Sequence, residues 1–208
     1  MPSFLDVCCG MGGASIGFHR AGFECTGVDA VDLAYPYDLI LADARIWHPK
    51  KHYDVVWLSP VCTEWSSLTR LAIARGQRGP PDVEGALELV EGCLRIKDEA
   101  NPTFWILENV AGGEKYIEPL LGKPKLRRGP WRLWGKFPPF LLPECPKSMK
   151  KTTGQLKGFR EGHGAHDKLN SVFAFNPLRS WFRAKIPIPL SVPLGRACME
   201  ALRLEAVA

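Results

Sequence analysis

The sequence predicts an α/β fold built on a doubly wound, mostly parallel sheet. Three observations carry that reading. Residues 3–29 run strand, glycine turn, helix, strand and acid, the plan of a dinucleotide-type site. Two further apolar, β-branched runs, residues 53–58 and 103–107, are soon followed by reactive residue types, Cys62 after the first and Glu108 after the second. Between them, residues 83–100 carry the apolar spacing of an amphipathic helix. Strands alternating with helices pack as a parallel sheet covered on both faces, and such sheets bind ligands at the carboxyl edge of their strands.

Composition sets the limits. A chain of 208 residues holds one domain with a small insert, and 46% hydrophobic residues suit an ordinary globular core. No apolar run reaches membrane-spanning length, and the first residues lack a basic-then-apolar signal pattern. A soluble, cytoplasmic protein without a membrane partner is expected. Seven cysteines (Cys8, Cys9, Cys25, Cys62, Cys93, Cys145 and Cys198) make an odd set without zinc-site spacing, so reduced thiols and no metal are expected. The net charge of +5 is uneven: residues 113–185 hold sixteen Lys/Arg against five Asp/Glu, and the remainder holds eleven against seventeen. A near-neutral core bearing a basic surface suits nucleic acid, although a solvated lysine-rich loop has the same composition.

In chain order, residues 3–8 read as the first strand, Cys9 to Gly13 as the glycine turn, and residues 14–21 as a helix closed by Gly22. Residues 23–28 form the second strand, with Asp29 at its tip, where a carboxylate can accept from both hydroxyls of a ribose. Residues 38–43 give a third strand ending in Asp43, which can accept from an adenine amine or cap a turn. Pro60 ends the fourth strand because it has no N–H to donate. Cys62 beyond it is either a nucleophile at the sheet edge or a packed core thiol. Residues 63–81 read as a long polar loop, the length at which loops act as lids or lack order. Asn101-Pro102 stops the long helix, and Glu108 emerges after the fifth strand as a catalytic acid or a helix cap.

Beyond residue 112 the pattern loosens. Trp131 and Trp134, in an aromatic, basic run between prolines, can stack on bases or simply pack. Residues 148–154 form a cationic turn, and residues 158–167 a glycine-rich stretch whose His163 and His166 read as surface histidines. Residues 193–207 form a last helix.

Four motifs carry a resemblance. Phe4-Leu5-Asp6-Val7-Cys8-Cys9-Gly10-Met11-Gly12-Gly13-Ala14-Ser15-Ile16-Gly17-Phe18, with Ala21-Gly22-Phe23 and Val28-Asp29 after it, resembles the opening motifs of the cytosine-C5 DNA methyltransferases. Ser59-Pro60-Val61-Cys62-Thr63-Glu64-Trp65-Ser66 resembles their Pro-Cys motif, and Glu108-Asn109-Val110 their Glu-Asn-Val motif. Ala184-Lys185-Ile186-Pro187-Ile188-Pro189-Leu190 resembles the motif that closes the cofactor pocket. The order along the chain is also the family's, and the short length is similar to that of phage-borne members.

The resemblance implies a class I, Rossmann-like fold that binds S-adenosylmethionine, with residues 1–112 and 183–208 as catalytic domain and residues 113–182 as a small basic target-recognition insert. It implies cofactor contacts from Cys8, Cys9, Gly10, Met11, Gly12 and Gly13, from Asp29 and Ala30 at the ribose, from Asp43 and Ala44 at the adenine, and from Pro60. It implies catalysis by Cys62, Glu108 and Asn109, with Arg132 standing in for the family's Gln-x-Arg-x-Arg motif. The substrate it implies is double-stranded DNA, bound by a monomer. The implied chemistry explains the residue types. Cys62 adds to C6 of a flipped cytosine, the activated C5 takes the methyl group, and Glu108 stabilises charge at N3. The Thr63–Pro81 loop then forms a lid over the flipped base, with Ser66 and Arg70 near the phosphates of that nucleotide. Three positions depart from the family: Cys8 stands where an aromatic is usual, Val61 where a second proline is, and Thr63 where a glutamine is. Three other readings stay open: the same chemistry on RNA, a modified sulfonium donor, and a catalytically silent nucleic-acid-binding protein.

Overall fold

A computed structural model describes residues 1–142 and 186–207. The expectations for residues 148–154 and 158–167, His163 and His166 included, lie outside the described residues, as do Cys145, Ala184 and Lys185.

The strands and helices are β1 (Ser3–Val7), α1 (Gly13–Arg20), β2 (Glu24–Asp29), β3 (Asp38–Leu41), β4 (Val55–Leu58), α2 (Ser67–Ala74), α3 (Val83–Ala100), β5 (Phe104–Val110), α4 (Glu114–Leu121), β6 (Leu126–Arg128), β7 (Trp131–Lys136) and α5 (Ile188–Glu205). Among the described residues, five strands and three helices (α1, α3 and α5) follow the expected alternation, whereas α2, α4 and a closing hairpin were not expected. The sheet order is β3-β2-β1-β4-β5-β7-β6. The pairs β1–β2, β1–β4, β2–β3 and β4–β5 are parallel, and β7 runs antiparallel to both β5 and β6. This is the class I, Rossmann-like methyltransferase arrangement that the resemblance implies.

Side chains alternate between the two faces of the sheet, and each face has its own core. Phe4, Trp57, Ile106 and Leu133 face α1 and α5, where they meet Phe18, Leu190, Leu194 and Cys198. Phe4 stacks on Phe18 with ring centroids 4.1 Å apart. Leu5, Val56, Leu107 and Trp134 face α3 and α4, against Val90, Cys93, Ile96 and Ile117. Trp131 and Trp134 are both buried and split between these cores, so they pack the hairpin to the sheet and offer no face to a base.

Local chemistry sets the boundaries. Asp82 caps α3 by accepting from the Gly85 amide at 2.9 Å, and Asn101 ends it in the left-handed conformation at φ 46°. Helix α5 starts at Ile188, five residues before expectation, because Pro189 lies in the first turn, where a missing N–H costs nothing. The stretch expected as a polar loop is largely ordered. Residues Thr63–Trp65 make a 3₁₀ turn, and Ser66 accepts from the Thr69 amide at 3.1 Å to cap α2. Trp65, buried and stacked 5.5 Å from Tyr116, anchors that turn. Strand β5 runs on to Val110 because β7 pairs with it as far as Val110↔Trp131. Glu108 therefore sits inside a strand, and within the expected insert Leu126–Arg128 and Trp131–Lys136 extend the sheet.

Helices α1 and α5 approach too closely for any side chain at Gly17. A Cβ there would overlap the Ser191 side chain and come within 2.7 Å of its carbonyl carbon. Gly17→Ala is expected to destabilise the protein by about 1–3 kcal/mol in urea unfolding. Gly79→Ala, with open space around it, should leave the midpoint nearly unchanged.

Candidate active site

The sheet reverses its winding between β1 and β4, whose last residues Val7 and Leu58 lie level with one another. Beyond them the chain departs twice from the same edge. After β1 it turns through Cys8, held at φ 57° with its amide bonded to Val28 O at 2.8 Å, then through Gly10 at φ 51° and Gly12 at φ 69°. Gly12 precedes α1 and admits no side chain, because a Cβ would lie 2.8 Å from Pro36 Cδ. Gly10 has open space where a Cβ would be. After β4, Ser59 donates its amide to Val7 O at 3.0 Å, and the chain continues through Pro60 and Val61 to Cys62.

Between these two departures lies a cleft with about 850 Å³ of empty space, including the part open to solvent. Of the residues expected at the site, Cys8, Cys9, Gly10, Met11, Gly13 and Asp29 line it from one side, and Pro60, Cys62 and Glu108 from the other. Gly12, Ala30, Asp43, Ala44, Asn109 and Arg132 are not among its lining residues. Asp43 is bound by Arg45, whose Nε and Nη2 reach its two oxygens at 3.0 and 2.6 Å; that guanidinium holds its carboxyl below the usual range. Arg132 donates from Nε to Glu114 Oε2 at 2.7 Å and from Nη1 to the carbonyls of Gly129 and Trp131. Asn109, fully buried, donates from Nδ2 to Pro60 O at 3.0 Å and so ties β5 to the Cys62 loop.

Five lining residues, Asp6, Ala14, Ser59, Val61 and Thr63, stand inside the quoted motifs but were given no role at the site by sequence reasoning. Asp6 was visible as an acid inside an apolar strand. It is buried, accepts from Ser15 Oγ at 2.6 Å, and burial pushes its pKa up to about 7. Ile186, from the closing motif, completes the wall.

Electrostatics distinguish the two reactive groups. Burial raises Glu108 from 4.5 to about 8, with Ser59 pulling it down and Asp6 pushing it up. Burial, and then the nearby Glu108, raise Cys62 to about 11. Asp29 accepts from the Gly10 amide at 2.9 Å through one oxygen and from the Val31 amide at 3.1 Å through the other, leaving each oxygen free to accept again. Cys8 Sγ lies 3.9 Å from Cys93 Sγ on α3. No three His, Cys, Asp or Glu side chains converge as a metal site among the described residues, and none of the helices described is long and apolar enough to cross a membrane.

A glycine turn, a Pro-Cys loop and a Glu-Asn strand end meet on one sheet edge. The family model of C-5 cytosine-specific DNA methylases matches residues 2–114, and the chain belongs to that family. It is 32% identical over 105 residues to a protein of Frog virus 3 (isolate Goorha) described as a probable DNA (cytosine-5)-methyltransferase, covering 47% of this chain and 49% of that one. It is 28% identical over 125 residues to the type II methyltransferase M.NgoPII of Neisseria gonorrhoeae, covering 52% of this chain and 33% of that one. The chain thus spans half or less of the length of these relatives. Among solved structures it overlaps DNMT2 of Spodoptera frugiperda with a TM-score of 0.38 and 19% identity, over 55% of this chain and 37% of that one.

The raised pKa of Glu108 links folding to pH. The folded state keeps the proton between pH 4.5 and about 8, where the unfolded chain has lost it. Stability therefore falls as pH rises through that window. Urea unfolding is expected to show a loss on the order of a few kcal/mol from pH 5 to 8. Asp6 contributes to it, and Glu108→Gln should flatten it in part.

Proposed function

We propose that the protein transfers a methyl group from S-adenosylmethionine to C5 of a cytosine flipped out of double-stranded DNA, acting as a monomer in the cytoplasm. The observation that carries this reading is the meeting of Cys62 and Glu108 with the glycine turn in one cleft, in a chain of the cytosine-C5 family.

The donor suits the glycine-turn side. Open space beside Gly10 lets a ligand approach the backbone, Asp29 has acceptor capacity for ribose hydroxyls, and Met11, Ala14 and Ile186 offer apolar walls. When bound, S-adenosylmethionine supplies an electrophilic methyl group. The Cys62 sulfur forms a bond to C6 of the cytosine, which makes C5 nucleophilic. Glu108, uncharged below about pH 8, donates a hydrogen bond at N3 and stabilises the electron density that the addition pushes into the ring. After transfer, the C5 proton leaves to a base and the C6–sulfur bond breaks, which releases Cys62. Asn109 keeps the Pro60 carbonyl, and with it the Cys62 loop, at the end of β5. Residues 137–182, the part of the expected insert beyond the strands that extend the sheet, are the stretch we assign to target recognition; residues 143–182 alone hold seven Lys/Arg against three Asp/Glu, a balance that attracts phosphate.

Mass spectrometry of nucleosides from DNA and from tRNA, each incubated with the protein and S-adenosylmethionine, tests the reading. 5-Methylcytosine in the DNA alone is expected; methylated tRNA alone would overturn the DNA assignment. Cys62→Ala should lose at least about 10³-fold in turnover, and DNA containing 5-fluorocytosine should trap the protein through Cys62. The pH profile follows from the two raised groups. The reacting pair holds one proton in total, on Glu108, with Cys62 as thiolate. Below about pH 8 the pair holds two protons, and above about 11 none. kcat/KM is therefore expected to rise through the first value and fall through the second.

A further inference from the structure

We propose that Trp57 and Ser59 form a hydrogen-bond relay that occupies one oxygen of Glu108 and presents the other to the cleft, making Ser59 a positioning residue. The inference deepens the cytosine-methylation reading and rests on it for the identity of the base.

The relay follows from strand geometry. Trp57 ends the buried part of β4 on the face toward α1, and Ser59, two residues on, projects from the same face. Glu108 shares that face one strand over, two residues beyond Ile106. Strand β4 has ended at Leu58, level with Leu107, so the Glu108 side chain meets Ser59 where the neighbouring ladder stops. The backbone of Ser59 is pinned separately by its amide bond to Val7 O.

The direction of the relay is set by donor chemistry. An indole N–H can only donate. Trp57 Nε1 gives its hydrogen to Ser59 Oγ at 2.7 Å. Ser59 must then place its own hydrogen elsewhere, and it reaches Glu108 Oε2 at 3.4 Å. That separation is long, as hydrogen bonds in unliganded sites often are. With Oε2 accepting, the proton of the neutral acid belongs on Oε1, the oxygen left to address N3 of the base. Burial alone would leave the carboxyl free to rotate and to hold its proton on either oxygen. Arg132, the cation expected to assist here, is taken up by Glu114. Positioning of the acid thus falls to a neutral pair, which leaves Glu108 able to keep its proton near neutral pH.

Two readouts on this protein test the relay. The first, independent of activity, is urea unfolding from pH 5 to 9 with Glu108→Gln as reference, which isolates the Glu108 titration. The second is the rising limb of kcat/KM against pH with DNA and S-adenosylmethionine. Ser59→Ala removes a donor to the charged carboxylate, so both transitions should move up by about one pH unit. Ser59→Thr, which keeps the hydroxyl, should restore them. Trp57→Phe should move them in the same direction by less; it stands in if Ser59→Ala does not fold. Transitions in Ser59→Ala that coincide with those of the wild type overturn the relay. If no donor transfer occurs in any variant but the stability transition moves as described, the cytosine reading fails and the relay stands. If transfer depends on Cys62 but neither transition moves, the relay fails and the cytosine reading stands.

Discussion

Strands β1 and β4 are hydrogen-bonded neighbours whose following segments leave toward opposite faces of the sheet. Helix α1 packs on the face that holds Phe4 and Trp57, and α3 on the face that holds Leu5 and Val56. A gap must open at their carboxyl ends, because nothing crosses there to fill it. Both halves of the site depend on that gap. The glycine turn enters it from β1, the Cys62 loop enters it from β4, and the Ser59 amide bond to Val7 O holds the two at a fixed spacing. Were the two segments to leave on the same side, Cys62 and the Asp29 carboxylate would not share a cavity.

The cleft is unusual in its titratable content. Asp6, Glu108 and Cys62 all line it, and burial shifts each toward its uncharged form. Each acid also discourages ionisation of its neighbour, Asp6 acting on Glu108 and Glu108 on Cys62. Such a site resists negative charge until something positive or polar arrives to share it. The sulfonium of the proposed donor and the ring of the proposed base bring both. Reactivity is thereby tied to occupancy, which limits idle ionisation of the thiol.

Much of this was legible in the sequence, and the reasons are local. The bounds of α3 could be read because Asp82 and Asn101-Pro102 are strong start and stop signals. Cys62 and Glu108 could be read because a thiol and a carboxylate near the ends of apolar strands stand out against their surroundings. Helix α2 was hidden by the glycines, prolines and arginines that follow it, although Ser66 and the Leu68–Ala74 run carry the cap and the helix formers. The end of β5 lay beyond sequence reasoning because its last residues pair with β7, from Glu108↔Leu133 to Val110↔Trp131, and such a distant partner leaves no local periodicity. Asp6 was overlooked as a site residue because it counts in the sequence as an interruption of a strand; its partner Ser15 lies on the next element.

The last helix gives the fold an order of completion. Ser191 on α5 donates from Oγ to the Gly13 carbonyl at 3.2 Å, α5 rests against Gly17 of α1, and Ile186 just ahead of it supplies part of the cleft wall. The first loop of the chain is thus braced by residues made some 180 positions later. During synthesis that wall of the pocket stays unfinished until the segment carrying Ile186 and α5 has emerged from the ribosome.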